Sequence, residues 1–388
     1  MKSDVANVQL KQTEKVTFAQ AALIAVLTVI ATKFCTLPCV AARAAGNKAI
    51  WSMMILTGLE LAILFFAMTI AKCGGLPSLP LKKGVRTPLL IFFFGFFALK
   101  LTALSREIAT YFALSLFENV AVLPILILLL VACALLARKG YMAIGRLIEI
   151  FVWLFLFVLL FVLVFTRTAG DFFNAIGMFS PDPSGIGKGV LRGAAWFGDG
   201  TILAFLDLSG EQRISDHAKG IPPDPERVKA KRKIALTAAL ASCVIVLLFY
   251  AVFTSVYGDA AKMTDYAFIK LSAFKANTDE LGSADWPVII LWSFFSCLYL
   301  ALLFLSGKEC LSGLGEKMRS KEGRIFSFAL LGVVAATLST LFLDENGDYA
   351  SFMTRVMNVF VFVAAALMIA VGIYALKKGR GERNEEQN

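Results

Sequence analysis

Ten apolar stretches, each long enough to cross a bilayer as a helix, take up more than half of this 388-residue chain. A hydrocarbon core of ~30 Å needs about 20 residues at a rise of ~1.5 Å each. The stretches run over 17–38, 49–71, 88–113, 121–137, 147–166, 190–210, 234–256, 286–307, 325–343 and 353–376, and together hold only 10 of the chain's 66 charged residues. Residues of the AVILMFWYC set make up 58% of the sequence, and its aromatic residues are 34 Phe against 5 Trp and 8 Tyr, so most carry no polar handle. A soluble fold has no interior large enough for that much apolar surface. The strict alternation of an outer-membrane barrel is absent. The sequence therefore predicts an all-α polytopic membrane protein with ten transmembrane helices.

Composition excludes several kinds of chemistry. A single histidine, His217, leaves no triad and no His-rich metal site. The seven cysteines form no CxxC pair and lie mostly in apolar runs, where they read as small buried hydrophobes. Gly185-Ile186-Gly187 lacks the strand–helix context of a phosphate loop, so no enzyme, cofactor or metal is expected. The net charge of +10 is a topology signal: with the N-terminus inside, the inner segments carry 26 Lys and Arg and the outer segments 7. The run Lys229, Lys231, Arg232, Lys233 then reads as an inner-face anchor on the lipid bilayer, with no nucleic acid as partner. The expected organisation is a cytoplasmic segment over 1–16, a ten-helix domain over 17–376 with repeats 17–166 and 190–376, and a cytoplasmic tail over 377–388, charged and without fixed structure.

Two long outer segments, 167–189 and 257–285, stand out, the first with turn chemistry at Pro181-Asp182-Pro183-Ser184-Gly185. In the second, Thr264 to Lys275 predicts a short amphipathic helix lying on the outer mouth. The inner loop 211–233 carries Ile221-Pro222-Pro223-Asp224-Pro225, a stiff piece that ends the sixth span.

Helix breakers are the informative residues, because irregular backbone at membrane depth survives only where it faces protein or a wet cavity. The first span reads Ile30-Ala31-Thr32-Lys33-Phe34-Cys35-Thr36-Leu37-Pro38, with a lysine, two threonines and a proline interrupting an apolar helix near its middle. The sixth reads Trp196-Phe197-Gly198-Asp199-Gly200-Thr201. If the chain is two sets of five helices, these are corresponding members, and the odd number inverts the second set. Interruptions at matching places of two inverted halves point to a site at the midplane. Lys33, Thr36, Gly198, Asp199, Gly200 and Thr201 are the candidate substrate-binding residues.

Charges at membrane depth cost at least ~2.5 kcal/mol each on insertion scales, so they gather around cavities and pair. Glu60 and Lys100 fall at a depth similar to Lys33 and Asp199, and two positive and two negative groups there can neutralise one another. Glu60, Lys100 and Glu107 are the candidate ion-pair or proton-relay residues. Arg106 is expected to point away toward the outer end, and Arg146 with Glu149 to be structural.

Thr36-Leu37-Pro38 followed by Ala45-Gly46 and Trp51 resembles the first-helix motif of the spore germination B-subunit permeases (GerAB type). Arg138-Lys139-Gly140 through Arg146 and Glu149 resembles that family's turn into the fifth helix, and Phe197-Gly198-Asp199-Gly200 with Ile202-Leu203 resembles its sixth. The family belongs to the amino acid–polyamine–organocation transporters. The resemblance implies a LeuT-like fold with five-plus-five inverted repeats and a place in the spore inner membrane with both termini cytoplasmic. It also implies a small germinant such as an amino acid as ligand, and A-type and lipoprotein subunits as partners. The chain departs from the family at Ala31 and Lys33, where small residues, often glycine, are usual. Two functions follow as expectations: a germinant receptor subunit, or a stand-alone proton-coupled amino-acid transporter.

Overall fold

Helix interruptions and helix lengths together set the architecture of the chain, which a computed structural model describes over residues 16–113, 120–167, 170, 185–208, 225–273, 285–341 and 353–385. The segment 1–15, the turn at 181–184, the inner loop 209–224 and Lys275 lie outside the described residues. Among the described residues the regular structure is all helix, with no strand. Seven helices are long and apolar enough to span a bilayer: α3 (Ala49–Lys72), α4 (Lys83–Tyr111), α6 (Gly140–Arg167), α8 (Pro225–Tyr257), α10 (Asp285–Leu314), α11 (Lys321–Leu341) and α12 (Asn358–Glu385). A shorter apolar helix, α5 (Val122–Ala137), is the fourth span.

The two remaining spans are broken. Span one consists of α1 (Phe18–Ile30), a non-helical stretch over 31–36, and α2 (Leu37–Ala45). Its start is fixed by a capping box: Gln20 N–H donates to Thr17 Oγ1 and Thr17 N–H to Gln20 Oε1, each at 3.2 Å. Pro38 does not interrupt the helix as the sequence suggested. It is the second residue of α2, where a proline removes a donor that has no intrahelical partner in any case. The span accordingly continues to Ala45, seven residues past its expected end.

Span six consists of α7 (Ile186–Gly193), a short 3₁₀ turn to Trp196, an extended step at Phe197, and a 3₁₀ helix over Asp199–Phe205. Gly198 makes the turn between them with φ 82°, a left-handed conformation that costs any residue with a Cβ. This span starts at Ile186, four residues before its expected start at 190.

The packing repeats itself between the halves. Span one lies along span seven as span six lies along span two; span three packs on span nine as span eight packs on span four; spans three and eight cross at the centre. Exchanging each span for the one five later thus maps one set of contacts on the other, the mark of a five-plus-five inverted repeat. Ile150, Trp153, Phe157, Phe161 and Val164 of α6 are exposed, which suits a face toward lipid tails. The chain is an integral membrane protein of ten helical spans with the first and sixth broken, a LeuT-like arrangement.

Two local expectations need correction. The helix between spans seven and eight, α9 (Ala267–Ala273), does not lie on a surface: Ala267, Phe268, Ile269 and Leu271 are buried. Phe268 packs among Phe34, Phe249 and Phe155, so its apolar side chains have found a better partner than the interface. In the orientation that the charge pattern favours, α9 lies at the outer end of the bundle. The tail, expected to lack structure, continues α12 as helix to Glu385.

A methyl group built on Gly200 would meet Leu64 at 2.7 Å and Glu60 Oε1 at 3.3 Å, whereas one on Gly95 of α4 would meet nothing within 4 Å. Gly200→Ala is therefore expected to lower the melting temperature of the purified protein. Gly95→Ala is expected to leave it unchanged or raise it slightly, since alanine in a helix gains up to ~1 kcal/mol over glycine.

Candidate functional site

Interrupting a helix in an apolar interior strands backbone donors and acceptors, and each must find a partner. At the break in span six the donors go to Glu60 of α3. Gly198 N–H donates to Glu60 Oε2 at 2.5 Å and Gly200 N–H to Oε1 at 2.7 Å, so one carboxylate holds both ends of the turn. Thr201 Oγ1 donates to the Gly198 carbonyl at 2.8 Å. The acceptors are served from the facing spans: Lys100 of α4 donates to the Phe197 carbonyl at 2.7 Å, and the Thr32 hydroxyl, whose single proton is shared with Asp199, lies 3.3 Å from the Trp196 carbonyl.

At the break in span one the stranded groups are carbonyls. Those of Phe34 and Cys35 accept from the first two N–H groups of α9, Phe268 at 2.9 Å and Ala267 at 3.0 Å. Lys33 Nζ donates to the Thr28 carbonyl at 3.3 Å. Tyr266, just before α9, has φ 55° and places its ring 4.8 Å from that of Tyr111 on α4. Burial pushes its phenol well up, which keeps it a donor, and its hydroxyl lies 3.5 Å from the Glu107 carbonyl.

The two breaks meet on Asp199. Its Oδ2 accepts from Lys33 Nζ at 2.5 Å and from Thr32 Oγ1 at 2.9 Å; its Oδ1 accepts from Lys100 Nζ and from Tyr299 Oη of α10, the latter at 2.6 Å. Lys33 also sits 5.0 Å from the centre of the Phe197 ring. Lys33, Lys100, Asp199 and Glu60 are each at most 1% exposed. Two lysines and two carboxylates thus share a dry centre, where unpaired charges would cost several kcal/mol apiece.

The residues singled out from the sequence separate into three places. Lys33, Lys100, Asp199 and Glu60 belong to the central cluster. Gly198, Gly200 and Thr201 build the turn, with their polar groups taken by Glu60 and by the turn itself. Thr36 and Glu107 sit apart on the outer side, where Thr36 Oγ1 donates to Glu107 Oε1. Arg106 is buried in α4 near its outer end, and Arg146 and Glu149 take no part in the cluster. Thr32 is one of the two threonines among the breakers of span one, whereas Tyr299 does not stand out in the sequence. The available signal was a polar stripe in apolar α10, where Trp292, Ser296 and Tyr299 fall on one face at helical spacing.

That stripe, with Thr32, Cys35 and Glu107, encloses a small cavity on the outer side of Asp199. Its free space is about that of one water molecule. Among the described residues, no group of three or more His, Cys, Asp or Glu side chains is placed to hold a metal ion.

Comparison with solved structures relates this fold to membrane transporters. The chain is similar to the manganese transporter of Eremococcus coleocola solved with an aromatic bis-isothiourea substituted compound, with TM-score 0.54 and 14% identity over 92% of this chain and 78% of that one. A histidine-to-alanine mutant and a glutamate-to-glutamine mutant of the same transporter each match with TM-score 0.52 and 14% identity over 94% of this chain and 78% of theirs. No protein-family model and no curated protein matches the chain. At this identity the likeness shows the fold alone, that of a helical membrane transporter.

Lys33→Met and Asp199→Asn are expected to be strongly non-additive in a double-mutant cycle read by thermal unfolding. Breaking one partner of a buried pair costs ~3–5 kcal/mol, so the double mutant should recover ~1–3 kcal/mol relative to the sum of the singles. Additivity would show that the two residues act independently. Glu60→Gln is expected to destabilise more than Glu149→Gln, because a glutamine can accept from only one of the two glycine N–H groups and turns a donor toward the other. Equal melting temperatures for these two variants would remove Glu60 from the turn.

Proposed function

We propose that this protein is a ligand-sensing permease of the spore germination B-subunit type, which binds a small amino acid between the breaks of spans one and six. The observation that carries this reading is the carboxylate of Asp199 held by two lysines across the interface of the two halves. A carboxylate in that position occupies the place of an amino acid's own carboxylate. A zwitterion that enters gives its carboxylate to Lys33 or Lys100 and its ammonium to Asp199, replacing an internal ion pair with two external ones at little net electrostatic cost. Because Lys33 and Asp199 lie on different spans, that exchange changes how spans one and six are held together. The ligand then biases the fold between states by its differential affinity for them. In this reading the protein resides in the spore inner membrane with both termini cytoplasmic and relays the bias to A-type and lipoprotein subunits.

Manganese, the ion for which the solved Eremococcus coleocola transporter is named, does not suit this site. Two ammonium groups already flank Asp199, and a divalent cation brought beside them would be repelled. A second reading, a stand-alone proton-coupled amino-acid transporter, is favoured by the same cluster, since ionisable groups bridging the two halves can exchange protons as the halves rock.

L-Alanine is expected to raise the melting temperature of the purified protein in proportion to RT ln(1 + [L]/Kd), and Asp199→Asn to abolish the effect, while manganese leaves it unchanged. No response to any amino acid, or protection by manganese, would contradict the proposal. Uptake of labelled alanine into vesicles holding this protein alone would favour the transporter over the receptor.

A further inference from the structure

Basic residues crowd two helix starts at the end of α4 that lies away from α9, although the positive end of a helix dipole disfavours them there. Lys82 precedes α4, and Lys83 and Arg86 lie in its first turn, which holds no acidic residue. α11 opens on Lys321 and Arg324, with Glu322 between them. The two helices pack on one another, and the 3₁₀ turn Glu316–Arg319 that leads into α11 adds Lys317 and Arg319. Among the described residues, none of these seven cations is in an ion pair. The acidic groups of the same face are Glu316 and Glu322, both exposed, while Glu309 is already taken by Lys308 and Ser312. Positive charge is left in clear excess.

Two of these cations are held in place. Arg86 Nη2 donates to the Gly313 carbonyl at 3.0 Å, and Arg319 Nε to the Ser312 carbonyl at 3.2 Å. Neighbouring carbonyls at the end of α10, which have no intrahelical donor, thus seat two guanidinium groups, one from span three and one from the turn before span nine. Each spends one N–H on its carbonyl and keeps several more, and Arg86 Nε is buried with no hydrogen-bond partner. Two such forks suit a phosphate, which accepts several charge-assisted bonds at once. The surface beside them is apolar. Val85 of α4 is 56% exposed, and Phe326, Ala329 and Val333 form an exposed track along α11 at helical spacing. α11 is also the least buried of the seven long spans. Tyr374 of α12, whose hydroxyl donates to the Pro80 carbonyl at 3.3 Å, puts an amphipathic ring at this end of the bundle, as is usual where a bilayer meets water. An acidic protein segment would answer the charges and leave the apolar track uncovered. A phospholipid answers both.

We propose that the meeting point of the start of α4, the end of α10 and the start of α11 is a binding site for an anionic phospholipid, with its phosphate on Arg86 and Arg319 and an acyl chain along the exposed track of α11. Lys83 and Arg324 add attraction for the same headgroup from either side. No residue of the central cluster takes part, so this site is independent of the proposed function. In the orientation that the charge pattern favours, the lipid belongs to the inner leaflet.

The test is a titration of the full-length protein, purified in an uncharged detergent, with phosphatidylglycerol and with phosphatidylcholine of the same acyl chains, read by thermal shift. Phosphatidylglycerol is expected to raise the melting temperature at lower concentration than phosphatidylcholine. Arg86→Gln combined with Arg319→Gln should weaken the phosphatidylglycerol response about 30-fold, which is ~2 kcal/mol for two cations at ~1 kcal/mol each. Those arginines also hold the end of α10, so a second pair, Lys83→Gln with Arg324→Gln, changes exposed side chains only and should weaken the response in the same direction. Arg138→Gln with Lys139→Gln removes the same charge from the exposed turn between spans four and five and should leave the response unchanged. Equal responses to the two lipids would overturn the proposal and leave this face to an acidic protein segment. An equal loss in the Arg138 and Lys139 variant would overturn it too, since general charge attraction would then suffice. Protection by soluble glycerol phosphate as strong as by phosphatidylglycerol would assign the site to a free phosphate and contradict a lipid.

Discussion

A chain that leaves the helix inside a membrane must satisfy every backbone group that the helix would have satisfied, and nearly every polar feature of this protein follows from doing so twice. At span six the stranded N–H groups of Gly198 and Gly200 take the Glu60 carboxylate, and the carbonyls of Trp196 and Phe197 take Thr32 and Lys100. At span one the carbonyls of Phe34 and Cys35 take the first amides of α9. Each break is thus tied to elements far away in sequence: span six to spans one, two and three, and span one to the outer helix α9. Water would do the same work at a surface. In a hydrocarbon interior the side chains do it, which brings charges into the middle of the bundle.

Charge balance then fixes the composition of the cluster. Glu60 serves a turn that needs an anion, and Lys100 serves a carbonyl that needs a donor. Asp199, placed on the turn by its flanking glycines, gives Lys100 and Lys33 a counter-charge. Removing Asp199 leaves two lysines without their counter-charge, and removing Glu60 leaves two backbone amides without their acceptor, in a medium that penalises both heavily. In the proposed function a zwitterion enters this cluster because it brings both charges at once. In that proposal, stability and ligand sensitivity have the same origin.

Much of this is legible in the residues. Glycines around Asp199, a lysine in the first span, and carboxylates at matching depth are so costly in lipid that they mark the centre of the bundle without any knowledge of packing. The extent of span one is not legible in the same way. Pro38 suggests an interruption, although a proline near the start of a helix is harmless, and the helix ends instead at Ile30. The part played by α9 is hidden, since its seven residues contribute through backbone amides, which no side-chain pattern reports. Tyr299 escapes notice for a related reason. One hydroxyl in an apolar helix is ordinary, and only its neighbours at Trp292 and Ser296 show that the face is polar. The separation of Glu107 from Lys100, by contrast, is legible in the sequence, because the two share a helix face but lie two turns apart, and the structure places one at the cluster and the other at the cavity outside it.

The proposed ligand sensing turns on Asp199 standing where a ligand's carboxylate would stand, so the decisive measurement is an experimental structure of the protein with L-alanine bound. The Lys33–Asp199 contact, now 2.5 Å, is expected to open, with the ligand's carboxylate on one of the two lysines and its ammonium on Asp199. A ligand bound elsewhere, with both lysines still closed on Asp199, would contradict this.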